Sequence, residues 1–119
     1  MHELAIAEHI VNAVMTRVDD YKIEHVTSVH LQIGEAMGVV HDSLTFSFEM
    51  LASFTPELAG AKLVIDTVPH RARCRHCQQE FAIQHFIVQC PTCETWDTEV
   101  ISGTEFKVLD MEVESLHTT

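Results

Sequence analysis

Apolar residues near the start of the chain recur at helical spacing. Leu4, Ala7, Val11, Val14 and Val18 form one stripe, and Ile6, Ile10 and Met15 widen it. The pattern predicts an amphipathic helix over 2–18 that ends near Asp19-Asp20. Glu3 and Glu8 lie toward its positive end, where the helix dipole favours acids. The period then shortens to two. Over 25–33, Val29, Leu31 and Ile33 alternate with Ser28, His30 and Gln32, which predicts a half-buried strand closed by Gly34.

Residues 34–42 read as a loop holding Gly34 and Gly38. Asp42 or Ser43 is placed to cap a second helix with Leu44, Phe48, Leu51 and Ala52 on its inner face, and Pro56 and Gly60 close that segment. Lys62–Val68 is rich in β-branched residues and predicts a second strand. Phe81–Ile83 and Phe86–Val88 read as a short hairpin. Phe106–Val113 alternates again, with Leu109, Met111 and Val113 on one face, and a tail from Glu114 is expected to fray.

The order helix, strand, helix, strand, insertion, strand predicts an α+β fold. Three strands form a small mixed sheet packed with two helices. The first two strands run parallel through a crossover, and the last returns antiparallel. A zinc-ribbon-like module with four cysteines is inserted between the second and third strands. The expected division is one domain of 1–70 with 105–119 and a second of 71–104.

Composition narrows the function. The chain has 119 residues and 46% hydrophobic residues, which suits a globular protein rather than a disordered one. No apolar run has the length of a membrane span, and the start lacks a basic stretch followed by an apolar core, so a cytoplasmic protein is expected. Seven basic against eighteen acidic residues leave a net charge of −11, a poor basis for binding nucleic acid. The same acidity suits metal handling or docking on a basic partner, and equally suits plain solubility.

The strongest chemical signal is the pair Cys74-Arg75-His76-Cys77 and Cys90-Pro91-Thr92-Cys93, two CxxC knuckles separated by twelve residues in a chain with no other cysteine. Four thiolates at this spacing close a tetrahedral zinc site, and a site with every position filled is structural. A redox CxxC should open a helix after a strand, and the second pair precedes polar residues without a helical stripe. Arg71, Arg73 and Arg75 add local positive charge that fits protein or solvent better than DNA. His76 and His85 lie close enough to compete as ligands or to sense pH, although four cysteines already fill the site.

Met1-His2-Glu3 is the second place where chemistry gathers. If Met1 is retained before the bulky His2, an amine, backbone amides and an imidazole stand a few bonds apart. Such nitrogen sets suit square-planar nickel or copper(II) and disfavour zinc. Glu3 adds its amide nitrogen, and its carboxylate could steady the imidazole. Taken alone this is not a specific motif, because a histidine near a terminus is ordinarily just exposed. His9, His30 and His117 have surface readings. His41-Asp42 closes the loop after the first strand, from which a side chain could reach the terminus.

Met1-His2-Glu3-Leu4 opening a helix, Gly34-Glu35 after the first strand, and the late CxxC pairs together resemble the HypA/HybF family over essentially the whole chain. The resemblance implies a non-enzymatic nickel metallochaperone for [NiFe]-hydrogenase maturation. It implies Ni(II) as cargo, with His2 as imidazole ligand and Glu3 as amide ligand or support; Met1, His41 and Asp42 are further candidates. It implies structural Zn(II) on Cys74, Cys77, Cys90 and Cys93. The implied partners are the HypB GTPase and the hydrogenase large subunit, and some relatives also serve urease. Gln78 and Glu94 stand where many relatives have a glycine after each pair. The chain could be a monomer or a swapped homodimer. The rival readings are a zinc-ribbon adaptor without nickel and, less well supported, a metalloenzyme, for which no nucleophile–base pair is visible.

Overall fold

The computed structural model describes residues 3–114. The elements are α1 (Glu3–Tyr21), β1 (His25–Gly34), α2 (His41–Ala52), β2 (Lys62–Val68), β3 (Arg71–Cys74), β4 (Glu80–Ala82), β5 (Thr98–Ser102) and β6 (Phe106–Glu114). Short 3-10 turns occupy Glu35–Met37 and Pro56–Leu58. The fold is α+β as expected. One mixed sheet has the order β2-β1-β6, and a second sheet of order β4-β3-β5 carries Cys74 at the end of β3, with the other three cysteines in the turns beyond its strands. Thr27 Oγ1 donates to the Glu112 carbonyl and the Gly34 N–H donates to the Glu105 carbonyl, so β1 and β6 run antiparallel.

Two compact units divide the chain. The first comprises Met1–Leu31, Val39–Asp66 and Val108–Thr119, and the second Gln32–Gly38 and Thr67–Lys107. In the first, α1 buries Ile6, Ala7, Ile10, Val14 and Val18 and packs on α2. Leu44, Phe48 and Ala52 of α2 and Val26, Val29 and Leu31 of β1 complete this core. Leu4, expected on the inner stripe, is exposed. The buried arc of α1 is instead centred on Ile6, Ile10 and Val14, so Leu4 falls outside it. Lys22 adopts a left-handed φ of 53° and Ile23 N–H bonds to the Val18 carbonyl, a cap that ends α1 at Tyr21, just beyond the expected stop.

The start of α2 corrects a second expectation. Val40, not Asp42 or Ser43, is the N-cap residue, and it makes no side-chain cap bond. Its N–H donates instead to Glu3 Oε2 at 3.2 Å. That bond is the one a capping box draws from its own third-position glutamate, supplied here from α1.

In the second unit, β3 pairs antiparallel with both β4 and β5. The expected hairpin of Phe81–Ile83 with Phe86–Val88 reduces to one bridge, Gln84 to Ile87. Phe81 is taken by β3, whose partner β5 carries no strong alternation in sequence. Glu114 is the last residue of β6, and the rest of the expected frayed tail lies outside the described residues.

Gly103 has a φ of +100°, and a Cβ built there would lie 2.4 Å from the His70 Cα; one on Gly34 would lie 2.0 Å from the Gly103 carbonyl oxygen. Only glycine permits both the backbone geometry and the close approach. Gly103→Ala should cost roughly 2–4 kcal/mol, combining overpacking with strain at positive φ. Urea unfolding of the zinc-loaded variant checks this, and a loss below about 1 kcal/mol would show that the loop yields instead.

On the polar side of β1, His30 bridges two strands. Its Nε2 lies 2.7 Å from Asp66 Oδ2 of β2, and its Nδ1 lies 3.5 Å from Asp110 Oδ2 of β6. The hydrogen bond to Asp66 raises the His30 pKa above its ordinary 6.5, with Asp110 adding to the effect. A raised folded-state pKa stabilises fully below 6.5 and is lost as pH climbs through the folded value. The melting temperature of wild type should therefore exceed that of His30→Gln at pH 6 and converge on it in mildly alkaline buffer. A gap constant across that range would count against the clasp.

Candidate metal sites

The four sulfurs of Cys74, Cys77, Cys90 and Cys93 lie within 4.8 Å of one another, and among the described residues they form the one His/Cys/Asp/Glu group close enough to share an ion. Each knuckle is built in the same way. The N–H groups of His76 and Cys77 donate to Cys74 Sγ at 3.4 Å, and the Cys93 N–H donates to Cys90 Sγ at 3.4 Å. Gln78 N–H closes on the Cys74 carbonyl at 3.0 Å, and Glu94 N–H on the Cys90 carbonyl at 2.9 Å. Gln78 and Glu94 take left-handed φ values of 65° and 59°. The turn that a glycine would make freely is thus made by longer residues at some conformational cost.

Zinc fits this donor set. Tetrahedral Zn–S bonds of about 2.3 Å place sulfurs about 3.8 Å apart, and Cys77 Sγ and Cys90 Sγ are 3.8 Å apart. Backbone N–H bonds, first that of Cys77, bring the Cys74 thiol down to about 6. The Cys77 sulfur and burial push Cys93 up to about 12. Four clustered thiols resist ionising together, so a cation that holds all four as thiolates must displace protons as it binds. Cys74 and Cys90 are buried with Ala72, Phe81 and Ile83, which makes the ligands part of the core they close.

His76 is not drawn to the cysteines. Its Nε2 lies 3.2 Å from Asp97 Oδ2. His85 occupies the Gln84–Ile87 turn with a φ of 54°. Two of the three arginines beside the first knuckle are met by acids within the module. Arg73 reaches Glu80 at 3.0 Å and Glu99 at 3.7 Å, and Arg75 reaches Asp97 at 3.2 Å. Acids on the neighbouring strands offset this positive charge, which leaves a poor phosphate-binding surface.

Of the amino-terminal candidates, Met1 and His2 lie outside the described residues. Glu3 is the first residue of α1, and its carboxylate is held against Val40, the residue before His41 and Asp42. The helix starts therefore meet at Glu3 and Val40, although the two are 37 positions apart in sequence. Sequence reasoning missed two other links. Glu35 Oε1 accepts the His70 N–H at 3.2 Å within the second unit, and Asp66 and Asp110 flank His30. The Gly34-Glu35 pair and a histidine on a polar strand face were the available signals.

Known proteins place this arrangement in a family. The family model described as "Hydrogenase/urease nickel incorporation, metallochaperone, hypA" matches residues 1–113. A hydrogenase maturation factor HypA of Dehalococcoides mccartyi is 37% identical over 114 residues, covering 96% of this chain and 95% of that one. One from Geotalea uraniireducens is 38% identical, covering 96% and 100%. The solution structure of the Ni metallochaperone HypA from Helicobacter pylori matches with a TM-score of 0.67 at 18% identity, over 95% of this chain and 97% of that one, so it shares the fold. The chain belongs to the HypA family of nickel-incorporation metallochaperones for hydrogenase maturation.

Proposed function

We propose that this protein binds Ni(II) at its amino terminus and hands it on for [NiFe]-hydrogenase maturation. The observation that carries the reading is the bond between Glu3 and Val40 at the start of a chain that opens Met1-His2-Glu3. It ties the residue after His2 to the segment that carries His41 and Asp42. His2 supplies the imidazole, and Glu3 an amide nitrogen or support. Met1, His41 and Asp42 are the remaining candidates. Nitrogen ligands of this kind favour square-planar nickel. They exchange one at a time, which suits handover rather than catalysis.

Zinc held by Cys74, Cys77, Cys90 and Cys93 is the fixed metal of the pair. The functional division follows the metals, with 1–70 and 105–119 carrying nickel and 71–104 carrying zinc. The partners are the HypB GTPase and the hydrogenase large subunit, in the cytoplasm, with no role for nucleic acid. No described helix is long and apolar enough to cross a membrane.

The test is a nickel titration of zinc-loaded, untagged protein followed by absorption spectroscopy and calorimetry. One nickel per chain with a square-planar spectrum supports the reading. Absence of stoichiometric binding would leave the zinc-ribbon adaptor as the better account.

A further inference from the structure

The outer side of α2 is apolar where a solvated helix should be polar. Phe46 and Met50, one turn apart on one line of α2, are 70% and 40% exposed, and Phe54, two residues past the helix end at Ala52, is 80% exposed. Phe54, with Leu51 and Thr55, also forms one wall of a surface groove whose other wall is Glu8, Val11 and Asn12 of α1. The groove and the stripe belong to the first unit. At the joined starts of the two helices, Leu4 and Val40 are exposed as well. Exposed apolar side chains gathered on one helix and beside a groove mark an interaction surface.

The charge around the ridge indicates what covers it. Glu8 is the sole charged residue lining the groove. By helical spacing Asp42 and Glu49 flank the stripe on its other side; Glu49 is paired with Lys62 at 3.1 Å, so Asp42 on this edge and Glu8 on the other are the acids that border the apolar line. A second copy of this chain, with a net charge of −11, would bring like charge against like. We propose that the α1–α2 groove and the Phe46–Met50–Phe54 stripe dock an amphipathic helix of a partner protein, one whose apolar face is edged by lysine or arginine. Recognition is then of the helix-in-groove kind, with apolar anchors at every third or fourth position and basic flanks setting orientation. The inference goes beyond the nickel reading and does not depend on it.

The probe is a synthetic helical peptide of about eighteen residues, with leucines at i, i+4, i+7 and i+11 and lysines on both flanks. A control peptide carries glutamates in place of the lysines. Each is titrated by fluorescence anisotropy into zinc-loaded full-length protein and into Phe46→Ser/Phe54→Ser, and amide shifts are mapped on the wild type. The lysine peptide should bind saturably, at least tenfold tighter than the glutamate peptide, with shifts along residues 4–12 and 42–55. The double variant should lose at least tenfold while keeping its helical circular dichroism. Equal binding of both peptides, unchanged affinity in the double variant, or shifts lying elsewhere would overturn the proposal. So would sedimentation showing that this face pairs two copies of the chain.

Discussion

Cys74→Ala should release the metal from the four-cysteine site and unfold the second unit. Cys74 and Cys90 are two of the five residues in that unit's buried cluster, beside Ala72, Phe81 and Ile83. So small a core cannot offset the entropy of ordering the strands and turns around it. Structural zinc supplies about 10–16 kcal/mol in small zinc-dependent domains, and losing one of four ligands forfeits much of this. The substitution also removes the sulfur that accepts the His76 and Cys77 N–H groups. Zinc content should fall well below one per chain, and amide protection over 71–102 should collapse. The helical signal of α1 and α2 should largely persist, because their core is built from Ile10, Val14, Leu44 and Phe48. Full zinc content with normal protection in this variant would refute the structural role of the site.

His2→Ala should have the opposite profile, with folding unchanged and nickel binding lost. Mutating residues that merely orient a ligand costs about 10–100-fold in metal affinity, so losing a direct imidazole ligand should cost about 100-fold or more, equivalent to about 2.7 kcal/mol. Stability should move by no more than about 0.5 kcal/mol. Glu3→Ala separates the two effects. It should weaken nickel binding and also free the Val40 N–H at the start of α2, with a stability cost of about 1 kcal/mol. Wild-type nickel affinity in His2→Ala would remove the amino-terminal assignment and leave the bound metal to be sought among the other histidines.

The local elements were largely legible in the chain. A period near 3.6 marked α1 and α2, a period of two marked β1 and β6, and a β-branched run marked β2 at its observed limits. The CxxC spacing pointed to one four-cysteine group, and the four sulfurs do gather, because a knuckle is made by adjacent residues and their own amides. Where the reading went astray, short-range pattern was the wrong guide. β3, β4 and β5 are short and acquire their strand character from pairing with one another, so the local pattern pointed to a hairpin of Phe81–Ile83 with Phe86–Val88 instead. Leu4 matched the helical stripe, yet it lies at the first turn, outside the arc that α2 covers.

What sequence by itself determined were properties carried by neighbouring residues: helix and strand periods, the CxxC knuckles, the acidic balance and the Met1-His2-Glu3 opening. Only the tertiary structure decided which distant groups meet. Glu3 closes on Val40, His30 joins Asp66 and Asp110, and Gly103 presses on His70. None of these contacts leaves a local periodicity, because each depends on how chain segments tens of residues apart are brought together by the burial of other side chains. The exposed pair of Phe46 and Met50 on α2 belongs to the same class. Its spacing was present in the chain, but only the packing of Leu44, Phe48 and Ala52 against the core decided which side of α2 faces outward.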